Sequence, residues 1–205
     1  MKIILNNITK KFGNSIIINE LSYTFETNNA YWIAGANGSG KSTLLRIISG
    51  LLTPDKGEII YLNNKQEIIK VEDIYRLISY AAPYSEIIEE FTLKEMIEFH
   101  FKFKEKINRM STEDLIQLTG LQNSKNKTLS AFSSGMKQKI KLLLAITSKS
   151  EILLLDEPST NLDETAKKWY SEMIGQFKEN RLIVVCSNNL QEEHYFCNQK
   201  LELGI

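Results

Sequence analysis

The stretch Gly35-Ala36-Asn37-Gly38-Ser39-Gly40-Lys41-Ser42-Thr43 constrains this chain more than any other. From Gly35 to Ser42 it fits the phosphate-binding pattern G-x-x-x-x-G-K-[ST]. Ahead of it Tyr31-Trp32-Ile33-Ala34 is an apolar run of strand type, and behind it Thr43-Leu44-Leu45-Arg46-Ile47-Ile48 spaces apolar residues as a helix does. Strand, glycine loop and helix are the context the pattern needs. Glycines let a backbone wrap an anion, and the helix N-terminus aims its N–H groups and dipole at it. Lys41 is placed to reach β- and γ-phosphates, Ser42 to hold Mg²⁺ with its hydroxyl, and Thr43 to add a phosphate contact. The chain therefore binds a nucleoside triphosphate.

Bulk properties narrow what surrounds this loop. At 205 residues the chain fits one domain, or one with a subdomain. Its 25 basic and 25 acidic residues cancel, so no electrostatic footprint argues for nucleic acid. Cys186 and Cys197 are too few for a disulfide framework and read as small buried thiols. No zinc-type spacing occurs. The N-terminal apolar part is too short for a signal peptide, and Leu142–Ile146 and Ile152–Leu155 fall far short of a membrane span. The expected location is cytoplasmic, with no further domain after about residue 203.

Residues 2–34 predict short strands at Lys2–Leu5, Ser15–Ile18, Leu21–Glu26 and Ala30–Ala34, a small antiparallel sheet leaning on the nucleotide. Phe12 falls beside a turn at Gly13, where its ring can stack on a base. A Pro-Asp turn at Thr53–Gly57 leads to a strand at Glu58–Leu62; residues 63–73 are a polar connection, and Leu77–Ala82 is a buried strand ended by Pro83. Thr92-Leu93-Lys94-Glu95 is a capping box with Phe91 and Met96 as its staple; Ser111-Thr112-Glu113-Asp114 repeats the box more weakly. These helices, the first about 92–104, form an inserted helical subdomain. Ser133-Ser134-Gly135-Met136-Lys137-Gln138 opens a further helix, a start that suits either a cap or a phosphate. Ile152–Leu155 reads as a strand buried on both faces, ending in Asp156 and Glu157 where open α/β sheets place ligands. Asp156 is the carboxylate for Mg²⁺ and Glu157 the base for a water. Arg181–Cys186 is another strand, Ser187-Asn188-Asn189 a turn, and Lys200–Leu203 the last strand.

Taken together, these blocks resemble the ATP-binding cassette (ABC) ATPases over essentially the whole chain. The phosphate loop matches that family's G-x-x-G-x-G-K-S-T, and Ile152–Pro158 its Walker B strand with catalytic Glu157. Ser159-Thr160-Asn161-Leu162-Asp163 resembles the D-loop, and Ser133–Gln138 stands at the L-S-G-G-Q signature, with Gly135 21 positions before Asp156. Phe12 matches the aromatic that stacks on adenine. The resemblance implies an α/β P-loop NTPase of ABC type: a mixed sheet, an N-terminal antiparallel β subdomain and an inserted helical subdomain. One cassette fills 1–205, with its core at 1–83 and 151–205 and its helical part at about 84–150. It implies ATP bound by Phe12, Gly35, Asn37, Gly38, Ser39, Gly40, Lys41, Ser42 and Thr43, Mg²⁺ held by Ser42 and Asp156, and catalysis by Glu157 and Lys41. It also implies a homodimer or heterodimer in which Ser133 and Gly135 of one subunit serve the γ-phosphate on the other. The partner of that dimer is a membrane permease, engaged through the surface from Pro83 to Lys104, which places the subunit peripherally at the inner face of the membrane.

Three positions depart from the family pattern. Ser134 and Met136 replace the signature's first Gly and its Gln, Pro83 stands at the Q-loop glutamine, and Asn188 stands at the switch histidine. Proline offers no side-chain donor or acceptor. An Asn amide donates to a phosphate but relays no proton. ATP binding is expected to survive and hydrolysis to slow by one or more powers of ten, the scale of one positioned group. His194 reads as a packing or surface residue. The rival expectations are a nucleotide-gated module with weak or no turnover and, less supported, a soluble ABC protein of translation or repair.

Overall fold

Alternating apolar residues build the first sheet. In this computed structural model, which describes residues 1–188 and 190–204, β1 (Lys2–Phe12) buries Ile3, Leu5 and Ile8 and pairs antiparallel with β2 (Ser15–Glu26). β1 also pairs antiparallel with β4 (Lys56–Leu62), which carries the two-residue β5 (Ile68–Ile69), giving the order β2-β1-β4-β5. Both leading strands run further than the sequence pattern predicts. Register shifts follow Leu5, and Asn7 and Glu20 each take φ of 49°. These bulges break the period-two alternation without ending the ladder. Asn189, the last residue of the expected turn at 187–189, lies outside the described residues.

A second sheet has the order β6-β7-β8-β3-β9: Ile78–Ala81, Ile152–Asp156, Leu182–Cys186, Ala30–Ala34 and Gln199–Glu202. The β7–β8, β8–β3 and β3–β9 pairs are parallel. Every residue of β7 and β8 is buried, as the unbroken apolar runs require. Each fully buried Leu, Ile or Val contributes roughly 1.5–3 kcal/mol of burial. Helix α1 (Lys41–Ile48) packs on β7 and β8, burying Leu44, Leu45, Ile47 and Ile48 with Ile33, Ile152, Leu154 and Val184. The short α6 (Gln191–His194) precedes β9.

The chain divides into two compact units, one of residues 1–80, 150–157 and 179–205, the other of 81–149 and 158–178. The second is helical. α2 (Leu93–His100) and α3 (Thr112–Thr119) both start with complete capping boxes: the Glu95 N–H donates to Thr92 Oγ1 at 3.2 Å while Glu95 Oε2 accepts the Thr92 N–H at 2.8 Å, and Asp114 and Ser111 repeat this at 3.1 and 2.8 Å. The Phe91 ring meets Phe99 edge to face. α4 (Ser134–Thr147) packs against α2, α3 and α5 (Glu164–Phe177). The sequence pattern gives no sign of α5. Its first half is polar, and only Tyr170, Met173, Ile174 and Phe177 are buried. Its cap, Asp163, accepts the Ala166 N–H at 2.8 Å, so the last residue of the expected D-loop starts a helix.

Candidate functional site

The loop between β3 and α1 is shaped by its glycines. Gly40, the N-cap of α1, has φ of 95°, and a Cβ there would come within 2.8 Å of Ile17 Cγ2. No side chain caps α1 and no acid lies in its first turn. Lys41 is 5% exposed, and its ammonium donates to the carbonyls of Gly35 (2.7 Å) and Ala36 (2.9 Å). Two of its three donors thus hold the loop closed over the head of the helix. Ser39 Oγ is buried with no hydrogen-bond partner among the described residues. Bare N–H groups, a buried cation and an unsatisfied hydroxyl suit a polyphosphate.

At the C-terminal end of β7, Asp156 is 5% exposed and its Oδ1 is buried without a partner among the described residues. Burial pushes its carboxyl above the ordinary value; the Ser42 hydroxyl beside it and the Lys41 charge pull the other way, and Glu157 adds to the rise. An orphaned carboxylate oxygen next to a hydroxyl is a hard oxygen set that suits Mg²⁺. Glu157 adopts φ of 41°; its N–H donates to the Cys186 carbonyl at 2.9 Å, and its Oε1 accepts from Asn188 Nδ2 at 2.6 Å. The end of β8 therefore fixes Glu157 twice, through backbone and side chain. Asn188 lies close enough for this because Asp156 pairs with Cys186 in the parallel register.

A cavity of about 510 Å³ opens beside the loop, lined by Trp32, Gly35, Asn37, Asn188 and Lys200 among others. One face of Trp32 stacks on His194, with centroids 3.7 Å apart and planes 2° apart, and Lys200 Nζ stands 4.9 Å from the Trp32 ring centroid. His194 is thus a packing residue. Phe12, at the end of β1, is 51% exposed, with Lys10 Nζ 5.7 Å from its ring centroid. Burial pushes the Cys186 thiol well up and the Cys197 thiol to about 12, leaving both unreactive.

In the second unit Ser133 is the N-cap of α4, its Oγ accepting the Met136 N–H at 3.2 Å, and both Ser133 and Ser134 are exposed. Gly135 has a role its sequence neighbours hide: a Cβ there would stand 2.6 Å from the Asn161 carbonyl oxygen. Buried Gln138, two positions beyond Met136, donates to the Pro158 carbonyl at 3.1 Å. The start of α4 is thereby seated on the 158–163 segment, a link no local sequence signal reveals.

A parallel sheet with a glycine loop at the end of β3, a helix behind it and two carboxylates on β7 defines a P-loop nucleotide-binding protein. A family model described as ABC transporter matches residues 18–160, and the chain belongs to that family. It is 33% identical to an uncharacterized ABC transporter ATP-binding protein, YybJ, of Bacillus subtilis (strain 168), over 97% of this chain and 90% of that one. It is 28% identical to the Nod factor export ATP-binding protein I of Rhizobium johnstonii, over 92% of this chain but only 61% of that protein's length. Solved structures share the fold. The ATP binding subunit of an ABC transporter gives a TM-score of 0.82 at 21% identity, over 99% of this chain and 86% of that one. A dimeric ATP-binding cassette bound to ADP and Pi gives 0.81 at 22% identity, over 98% and 94%. Among the described residues no helix is long and apolar enough to cross a membrane.

Proposed function

We propose that the chain is the ATP-binding and ATP-hydrolysing subunit of an ABC transporter, working at the cytoplasmic face of a membrane on a separate permease through ATP-driven dimerisation. The observation that carries this reading is the buried Lys41 ammonium held over the Gly35 and Ala36 carbonyls at the uncapped head of α1. The names of the B. subtilis and Rhizobium relatives support the transporter role.

In this reading Phe12 takes the adenine on its exposed face, the backbone of residues 35–43 cradles the phosphates, and Lys41 neutralises their charge. Ser42 and Asp156 hold Mg²⁺, which supplies further charge neutralisation at the phosphates when bound. Glu157 accepts the proton of the attacking water as its oxygen bonds to the γ-phosphorus and the bond to ADP breaks. Asn188 holds the Glu157 carboxylate in place through Oε1. Ser133 and Gly135 of a second subunit complete the site. Pro83 contributes no side chain to it, and Asn188 relays no proton, so turnover is slower than with Gln and His at these positions.

Light scattering with phosphate release tests this. ATP with Mg²⁺ is expected to convert the chain to a dimer, with Glu157→Gln accumulating it, and Asn188→His is expected to speed phosphate release. A chain that stays monomeric with saturating ATP would sink the proposal. A dimer whose phosphate release stays at background in every variant would leave a nucleotide-gated module instead.

A further inference from the structure

Asn188 donates to the Glu157 carboxylate, yet it is itself exposed and lies on the irregular segment between β8 and α6. An Asn amide turns on two torsions and has no ring to pack, so its aim depends on the backbone beneath it. Ser187, the residue before it, is fully buried. The Ser187 N–H donates to the Ile33 carbonyl at 3.4 Å, and Ser187 Oγ accepts the Leu190 N–H at 3.3 Å. Both bonds are long, and neither by itself makes a stiff support.

One side chain grips that segment at two points. Trp32 on β3 donates its Nε1–H to the Ser187 carbonyl at 3.4 Å, directly beside Asn188. Its ring lies flat on His194, the last residue of α6, with centroids 3.7 Å apart. The N–H bond is as long as the others, so the stack carries most of the hold. The indole is the fixed member of the pair, because β3 runs between β8 and β9 and Trp32 stands in register with Val185 on one side and Lys200 on the other. Lys200 Nζ, paired with Glu202 at 3.3 Å, comes within 4.9 Å of the ring centroid.

We propose that Trp32 is a positioning residue for ATP hydrolysis: it clamps Ser187 and His194 and so holds Asn188 against Glu157. The proposal rests on the hydrolytic reading above and adds to it a residue that acts only through Asn188. The chain of contacts is short. The indole sets the Ser187 carbonyl and the end of α6, these set the backbone at Asn188, and the Asn188 amide sets the Glu157 carboxylate through Oε1. In the sequence Trp32 is only one of several apolar residues ahead of the glycine loop, and nothing in the spacing joins it to residues 155 positions further on.

The test reads two quantities on the full chain. The first is the side-chain amide signal of Asn188 in proton–nitrogen correlation spectra without nucleotide, assigned by its loss in Asn188→Ala. The amide proton bonded to the carboxylate resonates apart from its twin, and Trp32→Ala is expected to shrink that separation by roughly half as the bond loosens. Trp32→Phe, which keeps a ring on His194, is expected to leave most of it. The second quantity is steady-state phosphate release with ATP and Mg²⁺. Trp32→Ala is expected to lower kcat roughly tenfold, the scale of a displaced catalytic group, with KM within about twofold, while Trp32→Phe stays within about threefold of the wild type. In an Asn188→Ala background Trp32→Ala is expected to cost nothing further, whereas a role in packing alone gives additive losses. If Trp32→Ala fails to fold, His194→Ala removes the same stack from the α6 side and is expected to lower kcat about threefold with the same movement of the amide signal. An unmoved amide signal, a loss confined to KM, or a full further loss in the Asn188→Ala background each overturns the proposal. The two readings fail separately. A wild-type chain that binds a fluorescent ATP analogue and releases no phosphate, with an amide signal that still answers to Trp32→Ala, sinks hydrolysis and leaves the hold of Trp32 on Asn188 standing; turnover with an indifferent amide signal sinks the clamp alone.

Discussion

The helix starts of this protein fall into two groups. α2, α3 and α5 begin with carboxylates: Glu95 in the first, Glu113 and Asp114 in the second, Asp163 and Glu164 in the third. α1 and α4 have no acid in their first turns; α1 has no side-chain cap at all, and α4 has only the neutral hydroxyl of Ser133. A carboxylate at a helix start satisfies orphan N–H groups and complements the dipole, so its omission costs stability. It also repels an anion. The two starts without acids are the two nominated for phosphate, which is the arrangement expected if those ends are satisfied by a ligand and the others by the chain itself.

The comparison breaks most sharply at Lys41. Lys41→Ala removes both the closing bonds of the loop and the buried cation, and titration with a fluorescent ATP analogue is expected to show at least a roughly 100-fold weaker affinity, the scale of a lost charge-assisted contact. Unchanged affinity would mean that the head of α1 is not a phosphate site.

A second prediction concerns the far end of α2, which defies the same rule. A cation there would complement the dipole, yet burial holds His100 down at about 4. Ser148 Oγ donates to the Leu144 carbonyl at 2.6 Å, so the contact of 2.9 Å has His100 Nε2–H donating to Ser148, as a neutral ring does. The unfolded chain, with an ordinary value of 6.5, binds the proton more tightly than the folded one. Stability is therefore complete above about pH 6.5 and is lost as pH falls toward 4, by about 3 kcal/mol in all. Urea unfolding of His100→Gln across that range is expected to lose this component of the slope.

Ser134→Glu sharpens the contrast because its two effects have opposite signs. A carboxylate in the first turn of α4 is expected to raise stability by about 0.3–1 kcal/mol, while ATP-driven dimerisation weakens roughly tenfold through repulsion of the partner's phosphate. If both measurements moved together, α4 would belong with the self-satisfied helices. The smallest effect is at Thr92→Ala, where loss of the cap costs about 1 kcal/mol in thermal unfolding and ATP affinity stays the same.

What was legible in the sequence follows the same division. Capping boxes and the phosphate loop are local patterns, and Thr92, Ser111 and Gly35–Thr43 declare themselves from neighbours a few positions away. The buried strands at Ile152–Asp156 and Leu182–Cys186 are legible because burial on both faces leaves an unbroken apolar run. α5 escaped because its exposed first half is polar and its cap, Asp163, reads equally well as the end of a loop motif. The bond from Asn188 to Glu157, the approach of Gly135 to Asn161 and the bond from Lys141 Nζ to the Pro83 carbonyl join residues brought together by register and packing, which no spacing in the sequence encodes.

The stack of Trp32 on His194 gives the protein an optical property. Its two tryptophans are Trp32, on the wall of the cavity beside the phosphate loop, and Trp169, whose Nε1–H donates to the Leu118 carbonyl at 2.6 Å in the helical unit. Each compact unit thus contains one indole, and the Trp32 emission is expected to respond to the imidazole lying flat against it. Replacing either tryptophan with Phe leaves a chain whose fluorescence follows one unit at a time, so that melting of the nucleotide half and of the helical half can be watched separately in a cuvette.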